Sequence, residues 1–208
     1  MSAEIIDRYT TLAEPREGLY KEKGSKFIAY AYEVEDEEEI QLYLEEVRQL
    51  HFKARHHCYA WRLGLDKTHY RANDDGEPSG TAGRPILGQI DSFGLTHCLI
   101  IVVRYFGGTK LGTSGLKTAY KAASFEALNE APTVVRILKQ KVKLFLPYPL
   151  LSDWMNYLKG ADMDIKSSDY AAEEVVLTLS LPLSRLAELQ ARLDDPLITD
   201  IKTEGLEE

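Results

Sequence analysis

Cys98-Leu99-Ile100-Ile101-Val102-Val103 is a run of six apolar residues, followed at once by Arg104-Tyr105-Phe106-Gly107-Gly108-Thr109-Lys110-Leu111-Gly112-Thr113-Ser114-Gly115-Leu116-Lys117. A short apolar run without alternation reads as a strand covered on both faces. The glycine-rich segment behind it reads as a turn that feeds a helix. Upstream, Asn73-Asp74-Asp75-Gly76-Glu77-Pro78-Ser79-Gly80-Thr81-Ala82-Gly83-Arg84-Pro85 holds too many turn formers to be helix or strand over most of its length. Two polar loops bracketing a buried strand, within Arg71 to Lys121, therefore organise the chain.

The second loop has the make-up of an anion site. A helix starting at Thr113 or Ser114 leaves its first N–H groups unpaired at a partly positive end, which acidic residues commonly complement. Here the first acidic residue is Glu126, while Lys110 precedes the start and Lys117 lies just inside it. Gly107, Gly108, Gly112 and Gly115 allow a ligand close to the backbone, so an external phosphate or carboxylate would complete the helix end. A tight turn with solvated lysines has the same composition. Gly107 to Gly112 has P-loop spacing, but Thr113 stands where that motif needs lysine, and no G-x-G-x-x-G is present. No cofactor is expected.

The 208 residues, 44% hydrophobic and 28% charged, fit a globular protein of one or two domains. The first residues lack the basic start and apolar run of a signal peptide, and no segment reaches the ~20 apolar residues of a membrane span. A cytoplasmic location without membrane association is expected. Cys58 and Cys98 suit two buried thiols, and without a Cys-x-x-Cys no metal site is expected. The net charge is −8, but residues 51–125 hold ten basic and five acidic residues, leaving +5 there and −13 elsewhere. All five histidines share that segment. A local basic surface would attract an anionic partner.

Around this centre, Tyr9 to Val34 reads as two strands and Asp36 opens a helix with its apolar stripe on Ile40, Tyr43, Leu44, Val47 and Leu50. Cys58 to Gly64 reads as a strand in which His56 and His57 point to opposite faces. A histidine such as His57 near Asp74, Asp75 or Glu77 would suit acid–base chemistry or a cation, although Asp-Asp-Gly also builds Asx turns. A Cys58 nucleophile would need a histidine other than its strand neighbour. Arg84-Pro85 begins a short helix ending at Gly94. The helix from Thr113 to Asn129 buries Leu116, Ala119, Tyr120, Ala123 and Ala127, with Thr113, Lys117, Lys121 and Ser124 opposite. Glu130 to Thr133 reads as a boundary between domains 1–132 and 133–208. The second half reads strand Val135–Leu146, helix from Pro149, strands Met163–Tyr170 and Glu174–Leu181, helix Ser184–Leu193 and strand Leu197–Lys202. That βαββαβ order is the ferredoxin-like arrangement.

The two loop motifs, Arg71-x-Asn73 to Pro85 and Val103 to Gly112, resemble those of the IMPACT family over residues 15–130. The resemblance implies an α+β chain with an N-terminal domain like the second domain of ribosomal protein S-five. Its ferredoxin-like C-terminal domain is similar to one of elongation factor G. Eukaryotic members regulate translation by opposing a starvation-activated initiation-factor kinase, and use an additional N-terminal interaction domain that has no room before Tyr9. The resemblance places Asp74, Asp75, Glu77, Arg84, Arg104, Gly107, Gly108, Lys110 and Gly112 in the family's motif loops. The expectation is a regulatory protein binding RNA or a ribosome-associated component through Arg71, Arg84, Arg104, Gly107, Gly108, Lys110, Gly112, Thr113, Ser114 and Lys117. The alternatives are an enzyme for a phosphorylated or carboxylate small molecule, with Asp74, Asp75, Glu77 or His57 reactive, and a protein–protein adaptor built on the C-terminal sheet.

Overall fold

The computed structural model describes residues 7–195 and 201–206. They form an α+β chain that divides into two compact units. One unit is Tyr9–Arg136; the other is residues 7–8 together with the chain from Ile137 onward.

The first unit is built on a five-stranded sheet of β2 (Arg16–Glu22), β3 (Ser25–Glu33), β4 (His56–Leu63), β5 (His69–Asn73) and β6 (Cys98–Tyr105), in the order β2-β3-β6-β4-β5 with all pairs antiparallel. Strand β6 is central and fully buried from Cys98 to Arg104. Its alternate residues feed two cores, because successive side chains leave a strand on opposite faces. Cys98, Ile100 and Val102 pack beneath helices α2 (Gly83–Ser92) and α3 (Gly112–Leu128). Leu99, Ile101 and Val103 pack against α1 (Glu37–Leu50). Asp36 caps α1 by accepting from the Glu39 N–H at 2.9 Å, and the Glu39 carboxylate accepts from the Glu35 N–H at 2.8 Å. Strand β1 (Arg8–Leu12) pairs with β7 (Thr133–Ile137) in a separate two-stranded sheet.

The second unit has a four-stranded antiparallel sheet of β8 (Lys139–Pro147), β9 (Asp164–Tyr170), β10 (Glu174–Pro182) and β11 (Lys202–Glu204), ordered β11-β8-β10-β9. Val142, Leu144 and Leu146 of β8 face the same core as Val175, Leu177, Leu179 and Leu181 of β10. Trp154 and Leu158 of α4 (Tyr148–Gly160) and Leu189 of α5 (Leu183–Leu193) close that core from one side.

Several expectations need correction. Residues 8–33 hold three strands, because the turn after Leu12 separates β1 from β2. The expected strand Val135–Leu146 is two strands, β7 and β8, parted at Leu138. Strand β5 was not foreseen: it is an edge strand with His69, Tyr70 and Arg71 exposed, so it lacks an apolar pattern. Ser124 is fully buried, its hydroxyl donating to Tyr120 O at 2.9 Å, so it leaves the polar face assigned to it. Of the last expected strand, residues 197–200 lie outside the described residues, and β11 begins at Lys202.

Candidate anion-binding cleft

Strand pairing places His56 of β4 and Phe27 of β3 on either side of Arg104 of β6. Directly paired residues share a sheet face, so these three lie on the face covered by α2 and α3. From the loop after β5, Glu77 reaches Arg104: the guanidinium Nη1 donates to Glu77 Oε1 at 2.5 Å, with 8% and 4% of the two side chains exposed. From α3, the Tyr120 hydroxyl donates to the same carboxylate oxygen at 2.8 Å. The Cys58 thiol stands 3.3 Å from that hydroxyl and 3.0 Å from Asp74 O. A buried pair of this kind is tolerated because each charge has a partner in a low-dielectric setting.

The loop 74–83 is organised by its own acids. Asp74 accepts from the N–H groups of Gly80 at 2.7 Å and of Ala82 and Gly83 at 2.9 Å. Burial pushes its carboxyl up, yet those N–H groups and the Arg84 charge prevail and hold its pKa below 3.8. Asp75 Oδ2 accepts from the His57 N–H at 2.6 Å, and the Asp75 N–H donates to Asn73 Oδ1 at 2.8 Å. His57 is buried, which lowers its pKa despite Asp75 nearby, so it is neutral at pH 7. Its Nε2 has no hydrogen-bond partner among the described residues. Burial also pushes the Cys58 thiol far up, and Cys98 up to about 12. Both cysteines are free and neither supplies a thiolate near neutrality.

Beside the Arg104–Glu77 pair opens a cleft of about 580 Å³ lined by Lys53, Ala54, Arg55, His56, Arg104, Tyr105 and Phe106. Four of the seven are basic side chains and none is acidic. The Nε of Arg104 is buried without a hydrogen-bond partner among the described residues. His56 is oriented by a 2.8 Å contact between its Nδ1 and Asp75 O. The Tyr105 hydroxyl lies 2.9 Å from His51 Nδ1.

The chain leaves this cleft at Phe106 and runs to the start of α3. Gly107 is pressed against the β2–β3 turn: its N–H donates to Ser25 Oγ at 3.1 Å, and an added Cβ would come within 1.9 Å of Gly24 C. Gly108 and Gly112 have φ of +88° and +70°, in the left-handed region that favours glycine. Leu111 at the N-cap gives α3 no side-chain hydrogen bond, and its first turn carries no acid. Gly112, Thr113 and Ser114 are exposed there, as are Lys110 and Lys117, neither of which forms an ion pair among the described residues.

The residues named from sequence therefore divide. Arg104 lines the cleft, and Gly107, Gly108, Lys110, Gly112, Thr113 and Ser114 follow on from it to α3. Lys117 stands exposed one turn into that helix. Arg84 is exposed in the first turn of α2, beside the Asp74 loop. Arg71 pairs with Trp61, which belongs to the α1 core, so it lies on the opposite sheet face from Arg104. Sequence reasoning missed Lys53, Arg55, His56 and Phe106 as a wall. The available signal was three basic residues within Lys53-Ala54-Arg55-His56, directly before a buried strand. Among the described residues no three His, Cys, Asp or Glu side chains gather to hold a metal ion, and no helix is long and apolar enough to cross a membrane.

Comparison with known proteins matches residues 23–128 to the Impact N-terminal domain. The IMPACT family member YigZ of Escherichia coli is 38% identical over 175 residues, covering 83% of this chain and 85% of YigZ. YvyE of Bacillus subtilis, also an IMPACT family member, is 34% identical over 167 residues, covering 80% of this chain and 77% of YvyE. A crystal structure described as that of a hypothetical protein superposes with a TM-score of 0.75 at 34% identity, covering 98% of this chain and 100% of that one. With residues 23–128 matching the Impact N-terminal domain and likeness along most of its length, this chain belongs to the IMPACT family.

Proposed function

We propose that the chain is a cytoplasmic regulatory protein linked to translation, which binds RNA, free or in a ribosome-associated assembly. Binding takes place at the Lys53–Phe106 cleft and along the loop to α3. The observation that carries this reading is a cleft lined by Lys53, Arg55, His56 and the Glu77-paired Arg104, with two aromatic rings and no carboxylate in its wall. Basic grooves with interleaved aromatics suit a polyanion that also presents flat bases. The uncapped α3 start and Lys110 extend the same positive character, since helix N–H groups receive phosphate readily. In the second unit, the strand order β11-β8-β10-β9 with both helices on one core supports a ferredoxin-like domain similar to that of elongation factor G. The first unit is read as resembling the second domain of ribosomal protein S-five.

An enzymatic reading has weaker support. Asp74, Asp75 and Glu77 all engage partners within the fold, and the Cys58 thiol is held protonated. Fluorescence anisotropy with a labelled RNA tests the main reading. Affinity should fall steeply with salt, and Lys53→Glu or Arg55→Glu should weaken binding and reduce the slope of log K against log salt by about one. No binding at low ionic strength defeats the proposal.

A further inference from the structure

Phe106 is 58% exposed, a large apolar ring left in solvent on backbone held firmly at both ends. On one side it continues β6, whose pairing with β3 extends to Tyr105. On the other, Gly107 is clamped against the Gly24–Ser25 turn. The Arg104 guanidinium carbon lies 5.6 Å from the centre of the Phe106 ring and 5.5 Å from that of Phe27. Phe27 is fully buried, so the guanidinium is held between a core ring and a surface ring. Its Nε, buried without a hydrogen-bond partner among the described residues, marks this as a place where polar atoms are not all satisfied internally.

We infer that Phe106 is a stacking platform, and that the cleft takes single-stranded RNA with one unpaired base on Phe106 and neighbouring phosphates on Lys53 and Arg55. This rests on the RNA-binding reading and adds to it the strandedness of the ligand. A base in a duplex has both faces covered by its neighbours and cannot lie on the ring, whereas an unpaired base offers a π-face of its own. A cavity of about 580 Å³ also suits a nucleotide rather than the width of a helix. The ring's plainer role is to lid Arg104, and a leucine would fill that role without offering an aromatic face.

The test uses the full chain and an RNA oligonucleotide carrying 2-aminopurine, as a single strand and annealed to its complement. The native protein should quench the single strand's fluorescence on binding and prefer it to the duplex by about tenfold or more. Phe106→Leu, with an unchanged urea midpoint, should abolish the quench and weaken single-strand binding about tenfold. Arg55→Glu should weaken binding while leaving the quench of the bound fraction intact. Equal affinity for duplex and single strand, or a quench that survives Phe106→Leu, overturns the inference while leaving RNA binding in place. Absence of binding to either strand form at low salt overturns both.

Discussion

Glu77 Oε1 accepts from Arg104 at 2.5 Å and from Tyr120 at 2.8 Å, with 4% of the Glu77 side chain exposed. Removing one partner of a buried ion pair leaves the other charge without compensation, a loss of about 3–5 kcal/mol. Glu77→Gln should therefore lower unfolding stability by that amount in urea titration. A loss below about 1 kcal/mol would mean that water already reaches the guanidinium and that the pair is not closed. Tyr120→Phe removes one hydroxyl donor while Arg104 stays, so its cost should be nearer 1 kcal/mol. Glu77 and Arg104 were both legible as unusual residues in the sequence. Their partnership was not, since it joins positions 27 apart through strand pairing and a loop.

Helix α3 owes its seat to small residues. An added Cβ at Gly18 of β2 would lie 2.4 Å from Ala127 N and 2.6 Å from Ala123 O, both backbone atoms of that helix. Backbone cannot swing aside as a flexible side chain can, so Gly18→Ala must lift α3 from the sheet. The expected cost is about 1–3 kcal/mol, measured by urea unfolding. A stability equal to the native protein's would show that α3 does not pack as closely as described. The periods that disclosed β6, α1 and α3 are local: six apolar residues in succession, or one every third or fourth. Strand β5 escaped because an exposed edge carries no such period, and Ser124 because a hydroxyl can be buried by bonding to the preceding turn.

Across the Tyr9–Arg136 unit, burial lowers the pKa of His51, His57 and His97 below 6.5. The contacts of His97 fit the neutral ring: Nδ1 stands 3.2 Å from Val34 O as donor, and Nε2 accepts from the Gly64 N–H at 3.3 Å. The unfolded chain takes up protons near pH 6.5 while the folded chain resists until lower pH, so stability is full above 6.5 and falls on acidification. The urea midpoint should therefore be lower at pH 5.5 than at pH 7.5, and His97→Asn should reduce that difference, with His51 and His57 supplying the remainder. A midpoint that rises toward pH 5.5 would contradict the assigned neutral state. Charge is also sorted in space within this unit. A second pocket, lined by Glu14, Glu33, Glu35, Asp36 and Glu39 with Ala13, Pro15 and Tyr43, is acidic, whereas the Lys53–Phe106 cleft has no acid. An anionic partner is thus repelled from one and drawn to the other.

The amino-acid order alone established the covered central strand, the amphipathic helices, the two glycine-rich loops and the acid-free start of α3. Each of these follows from spacing and residue type over a few turns of chain. Which cations meet was settled by folding. Strand register set Arg104 beside His56 and sent Arg71 to the far face, and Glu77 neutralises a guanidinium that the residue type alone offers to a ligand. Side-chain direction alternates along a strand, but which face becomes a cleft depends on what the rest of the chain lays over it.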